Sequence, residues 1–297
     1  MNWQDKLRYR YNLANIVEKL IAINIAMFIL TFAVNTIAFL LTGNQFSSGF
    51  LTEWFSFPKD LLDFAIRPWS IVTYAFMHAG IFHILSNMII LYFSGQFFLT
   101  FYSPKRLVNF YVLGAIFGAL IFSLSYNIFP AFQGTGKSYL IGASASVMAV
   151  LVGVATKAPN MQVRLLIFGN LKLWWIASFL VVVDFIQIPF GNPGGHLAHL
   201  GGALLGYIYT KQLDKGNDIG AWIEDSINWF SNFFKTSKSP KMKTVHKSKT
   251  KAKSQKSTPN KAKQEKVDQI LDKISKSGYD SLTKAEKDFL FNAGKDL

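Results

Sequence analysis

The chain of 297 residues contains no cysteine, which excludes disulfides, thiolate catalysis and cysteine-based metal sites and leaves the redox compartment unread. Charge is also scarce. Only 16% of the residues are charged, against 51% hydrophobic and 15% aromatic, a balance too apolar for an ordinary soluble domain and typical of the membrane class. Acidic residues are the scarcer kind, 17 against 31 basic, but the excess is uneven. From Lys235 to Lys266 twelve lysines stand against the single Glu265, so +11 of the formal +14 lies in this stretch. The basicity describes a tail, not a nucleic-acid-binding body. A small-residue cleavage site is also lacking after the first apolar run, Leu20 to Leu41. That run is long enough for a bilayer core of roughly 30 Å and reads as a retained first span.

Residues 1–19 mix Lys6, Arg8, Arg10 and Lys19 with Trp3, Leu7, Tyr9 and Tyr11, the composition of a segment at a charged membrane surface. After span one, residues 42–70 form an aromatic loop with Trp54 and Trp69, suited to the membrane interface. Further apolar runs predict span two at about 81–101, span three at 107–129, span four at 139–155, span five at 171–188 and span six at 196–209. Spans four and six are short and rich in small residues, as helices buried among other helices are. Lys6, Arg8, Arg10, Lys19, Lys105, Arg106, Lys157, Arg164 and Lys211 fall on one face of this arrangement, and Lys59, Arg67 and Lys137 on the other. The rule that cytoplasmic loops carry the Lys/Arg excess then puts both termini in the cytoplasm, in a multi-pass protein of the cell inner membrane.

Beyond the six-span domain, residues 20–211, the segment 212–234 sets Trp222, Ile223, Ile227, Phe230, Phe233 and Phe234 opposite Glu224, Asp225 and Asn228, as in an interfacial amphipathic helix. The Lys-rich stretch 235–266 lacks an apolar period and is expected to be a disordered linker. Periodicity returns at 267–297 with Val267, Ile270, Leu271 and Ile274, a stop at Gly278, and a capping box from Thr283 to Glu286. This predicts a small two-helix cytoplasmic appendage.

The chemistry concentrates in three of the spans. Ile141 to Ala149 carries Gly142 and Ser144, an earlier segment carries His78, His83 and Asn87, and a later one carries His196 and His199. Polar groups inside a membrane are expensive, so several at one level point to a shared site. Spans two, four and six run in the same direction, and His83, Ser144 and His199 lie within about two turns of the outer end, roughly 10 Å at 1.5 Å per residue. A serine with a histidine in reach is an activated nucleophile, the imidazole taking the hydroxyl proton and returning it to the leaving amine. His83, Asn87 and the Ser144 backbone N–H are candidate oxyanion donors. His83 and Asn87, four apart, share a helix face. Gly202 and Gly206 let span six approach span four closely, and Gly142 keeps bulk away from the serine.

With these residues in place, the motifs His78-x4-His83-x3-Asn87-Met88, Gly142-x-Ser144 and Ala198-His199-x2-Gly202-x3-Gly206 resemble those of the rhomboid intramembrane serine proteases, bacterial six-span type, over about residues 20–211. The resemblance implies an all-α membrane bundle of six helices. It implies Ser144 as nucleophile, His199 as general base and acid, His83 and Asn87 as oxyanion donors, a dyad without a catalytic carboxylate, no cofactor, and transmembrane proteins as substrates, cut near the outer face. The family usually has glycine after the nucleophile, where this chain has Ala145, often a tyrosine where it has Met148, and Trp-Arg in the first outer loop where it has Trp69-Ser70, with Arg67 two residues earlier.

Blander readings stand beside these. Small residues such as Gly142, Gly202 and Gly206 are common helix-packing positions. Ser146 faces away from Ser144, His78 reads as a structural hydrogen-bonding group of the outer loop, and His196, one turn from His199, competes for the role of base. A metal site is set aside because no carboxylate is expected beside the histidines and because it would leave the serine unexplained, and Asp184 reads as a hydrogen-bonded structural group near the outer surface in preference to a third catalytic member. A catalytically inactive relative that binds transmembrane clients is the alternative function. A transporter or channel would spread its polar groups along a path through the membrane, whereas here they gather at one end.

Overall fold

The computed structural model describes residues 2–43, 49–165, 169–234 and 259–293, and the chain divides into two compact units, 1–236 and 237–297. In the first unit α1 (Trp3–Leu13) leads into α2 (Ile16–Thr42), whose start is fixed by a capping box: Asn15 accepts from the Glu18 backbone and Glu18 reaches back to the Asn15 N–H. Three short helices follow, α3 (Phe50–Phe55), α4 (Leu61–Ile66) and α5 (Ser70–Thr73). The long helices α6 (Ile81–Phe101) and α7 (Pro104–Ile128), the shorter α8 (Ser144–Lys157), then α9 (Leu173–Gln187), α10 (Pro193–Asp214) and α11 (Ala221–Phe234) complete the unit.

By length and composition, four stretches among the described residues suit a membrane crossing: α2, α6, α7, and α9 extended to Phe190. The expected spans four and six are the helices α8 and α10. They are the buried pair, as their small residues require. A Cβ on Gly202 would lie 2.0 Å from the Ala145 carbonyl oxygen, and one on Gly206 2.3 Å from that of Ala149, so the two backbones touch where no side chain intervenes. α7 closes on the same helix through Gly114, whose Cβ would meet the Ala149 Cβ at 2.7 Å. Tyr74, Tyr111, Phe110 and Leu107 fill the core around this contact, all fully buried or nearly so.

The structure departs from a purely helical fold in two places. β1 (Phe57–Pro58) pairs antiparallel with β2 (Tyr139–Leu140), and β3 (Gln162–Leu165) pairs with β4 (Gly169–Lys172). Residues 139–140 and 171–172, expected inside spans four and five, therefore belong to strands, because apolar runs this short do not distinguish strand from helix. The consequence is that α8 begins only at Ser144.

The second unit holds α12 (Pro259–Ser277) and α13 (Lys284–Ala293). Helix α12 starts eight residues before the expected boundary at 267, since Pro259 suits the first helical position and the Lys, Ala, Gln and Glu that follow are good helix formers. Residues 235–258 of the expected linker lie outside the described residues. Gly278 ends the helix at φ 77°, and the Thr283–Glu286 capping box is formed. Ile270 is buried, whereas Leu271, expected on the same face, is exposed.

Candidate active site

Ser144 is the first residue of α8, so its backbone N–H is among those a helix start leaves without an intrahelical acceptor. The chain reaches it through a turn made possible by Gly142, at φ 121°, whose N–H donates to the Tyr74 carbonyl at 3.0 Å. A Cβ on Gly142 would stand 2.6 Å from His83 Nε2 and 3.6 Å from Ser144 Oγ. The His83 ring thus lies on the glycine, beside the serine, and any side chain at 142 would expel it.

His83 sits on the first turn of α6. Its Nδ1 accepts the Ala79 backbone N–H at 3.4 Å, which assigns the ring proton to Nε2, the nitrogen facing Gly142 and Ser144. That is the tautomer an oxyanion donor needs. Asn87, one turn on and buried, gives one amide hydrogen to the His83 carbonyl at 2.8 Å and keeps a second. His78 is 3% exposed and packs edge-on to His83, ring centroids 5.2 Å apart. Neither of its ring nitrogens makes a well-formed hydrogen bond among the described residues. Burial, with the nearby His83 adding to it and the Phe76 backbone opposing, pushes its pKa down to about 4.

His199 enters from α10, one turn before the Gly202 contact with Ala145, the residue after the serine. Among the described residues Ser144 Oγ makes no hydrogen bond, to His199 or to any other group, and such bonds often form only once substrate is in place. Ser146 is fully buried, and its Cα would lie 2.9 Å from a Cβ on Gly114 of α7.

Sequence reasoning singled out Asp184 as a hydrogen-bonded group without giving its partners. Asp184, 8% exposed on α9, places Oδ1 2.7 Å from His199 Nδ1 and 2.8 Å from His196 Nδ1. A carboxylate does sit with the histidines, which removes one of the two grounds on which a metal site was set aside. The signal was available, since an ionisable residue in an apolar helix faces a partner and not lipid. Nothing in the spacing named that partner.

The loop between α2 and α6 is organised by Arg67, 6% exposed, which pairs with Asp63 at 3.3 Å and donates to the Glu53 carbonyl. Trp69 stacks on Trp54 at 6.0 Å and donates to its carbonyl.

The sequence pattern of the Rhomboid domain matches residues 66–214, half of the chain, and that of a family of unknown function (DUF6576) matches 255–292. Similar proteins include RHOMBOID-like protein 12, mitochondrial, of Arabidopsis thaliana, 29% identical over 50% of this chain and 47% of that protein. Rhomboid-related protein 1 of Caenorhabditis elegans is 31% identical over 48% and 38%. Presenilin-associated rhomboid-like protein A, mitochondrial, of Danio rerio is 28% identical over 46% and 35%. The chain spans less than half the length of each of these relatives.

Proposed function

Because the chain belongs to the rhomboid family and is a multi-pass membrane protein, we propose that it is an intramembrane serine endopeptidase that cuts transmembrane segments of other proteins near the outer face. The observation that carries the reading is the packing of His83 Nε2 against Gly142, beside Ser144 Oγ at the start of α8. Ser144 attacks the scissile carbonyl, His199 takes its proton and later gives it to the leaving amine, and the oxyanion meets the His83 Nε2–H, the second Asn87 amide hydrogen and the Ser144 N–H. A helical peptide bond is shielded by its own hydrogen bonds, so the substrate must unwind locally before attack.

In the same proposal α8 and α10 are the remaining two of six spans, and both termini lie on the cytoplasmic face of the inner membrane, where the Lys/Arg excess falls. The mitochondrial location in two relatives' names is theirs.

The test is cleavage of a single-span model substrate in liposomes. Wild type should cut, Ser144→Ala and His199→Ala should abolish cutting while still folded, and His196→Ala should be milder. The second reading, a client-binding relative without turnover, is kept open by Ala145 and Met148, which stand where the family usually has glycine and often tyrosine. It prevails if wild type cuts nothing and a fluorophosphonate leaves Ser144 unlabelled.

A further inference from the structure

Asp184 is the one charged residue in α9, an otherwise apolar helix with the sequence LWWIASFLVVVDFIQ. Its desolvation is costly, and the side chain is turned inward onto two histidines of α10. Both bonds go to the same oxygen, Oδ1, and both come from Nδ1. His196 and His199 are three residues apart on one helix face, ring centroids 5.8 Å apart, so a single carboxylate oxygen between them serves both.

The three groups also have the composition of a metal site. Distances decide between the two. Zinc held at about 2.0–2.1 Å by nitrogen and oxygen in tetrahedral geometry separates its ligand atoms by roughly 3.3 Å, whereas Oδ1 lies at 2.7 and 2.8 Å from the nitrogens. These are the lengths of charge-assisted N–H to carboxylate hydrogen bonds.

An ionised carboxylate has acceptors only, so each histidine donates its Nδ1 proton to it. In a neutral His199 that leaves the lone pair on Nε2, the nitrogen a serine proton must reach. We propose that Asp184 is a positioning carboxylate for the catalytic base: it holds His199 in the tautomer and orientation that presents Nε2 to Ser144, while His196 fixes the carboxylate from its other side. The inference rests on the protease reading above. As the serine oxygen bonds to the carbonyl carbon, the carbonyl electron pair moves to oxygen and the serine proton passes to His199 Nε2. The imidazolium so formed is paired with Asp184, which stays ionised throughout. The Nε2 proton then goes to the amide nitrogen as the peptide bond breaks. Water, deprotonated by the same nitrogen, releases the acyl group. His196 is three residues further from the Gly202–Ala145 contact than His199 is, so it braces Asp184 and does not serve as base.

The test combines turnover with a direct view of the bond. In proteoliposomes, Asp184→Asn should lower kcat by about 10²- to 10⁴-fold, the scale of removing a tautomer-fixing carboxylate, with KM little changed. Fluorophosphonate labelling of Ser144 should slow in parallel, and Asp184→Glu should recover part of the loss. In wild-type protein with 15N-labelled histidine, low-field Nδ1–H resonances should be present for both histidines, and one of them should vanish in His199→Gln. An Asp184→Asn protein with wild-type kcat and labelling rate overturns the inference while the protease reading survives. Absence of the low-field resonances in wild type also overturns it, whether or not the variants fold. Loss of turnover on chelation, restored by zinc, overturns it in favour of a metal. A wild type that neither cuts nor labels overturns the protease reading itself, and the role proposed for Asp184 goes with it.

Discussion

At Gly142 two demands meet, a backbone at φ 121° and a histidine ring on the α-carbon. Gly142→Ala should displace His83 and lower kcat by about 10²- to 10³-fold, the effect of losing one oxyanion donor, and liposome cleavage assays would show it. A variant of undiminished rate would remove His83 from the oxyanion role. His78 sets a pH limit. The unfolded chain protonates it near pH 6.5, whereas burial holds the folded protein's His78 neutral down to about pH 4. Its share of stability is therefore whole above pH 6.5 and is lost as the pH falls from there through 4. Thermal unfolding in detergent at pH 7 and 4.5 should show a drop that His78→Gln reduces. An equal drop in both proteins would show that His78 is not its source. At this scale the sequence spoke clearly where chemistry is carried by spacing within one helix, as in His83 and Asn87. It did not pair Asp184 with His199, because that bond joins two helices across a turn whose geometry no periodicity encodes.

Helices were legible wherever an apolar run was long, as in α2, α6 and α7, since only a helix satisfies its own backbone in lipid. The short ladders were not, because two-residue strands such as Phe57–Pro58 and Tyr139–Leu140 carry no alternation to read. What the Gly202 and Gly206 spacing foretold was an approach, and the structure gives it a length: 2.0 Å from a Gly202 Cβ to the Ala145 oxygen. Gly202→Ala must therefore push α10 off α8, at a cost of about 1–3 kcal/mol. Gly136→Ala, with open space around the position, should cost little. Unfolding temperatures in detergent compare the two directly. Equal values would mean that the helix contact yields without strain.

For the molecule as a whole, the absence of cysteine makes the proposed topology easy to probe. Lys137 and Lys215 are exposed and fall on opposite faces in that topology. Single cysteines at these positions should react with a membrane-impermeant maleimide from opposite sides of sealed vesicles, position 137 from outside and position 215 from inside. Labelling of both from one side would refute the three spans that the proposed topology places between them. The paired strands β1 and β2 extend this view to mechanics. Through the Phe57–Leu140 and Pro58–Tyr139 rungs and the Lys59 N–H to Ser138 bond, the loop that carries β1 is tethered to the chain four residues ahead of Ser144. Loop and serine are thus links of one short linkage, and in the proposed topology an agent that grips the loop from the aqueous side pulls on Ser144 without entering the bilayer.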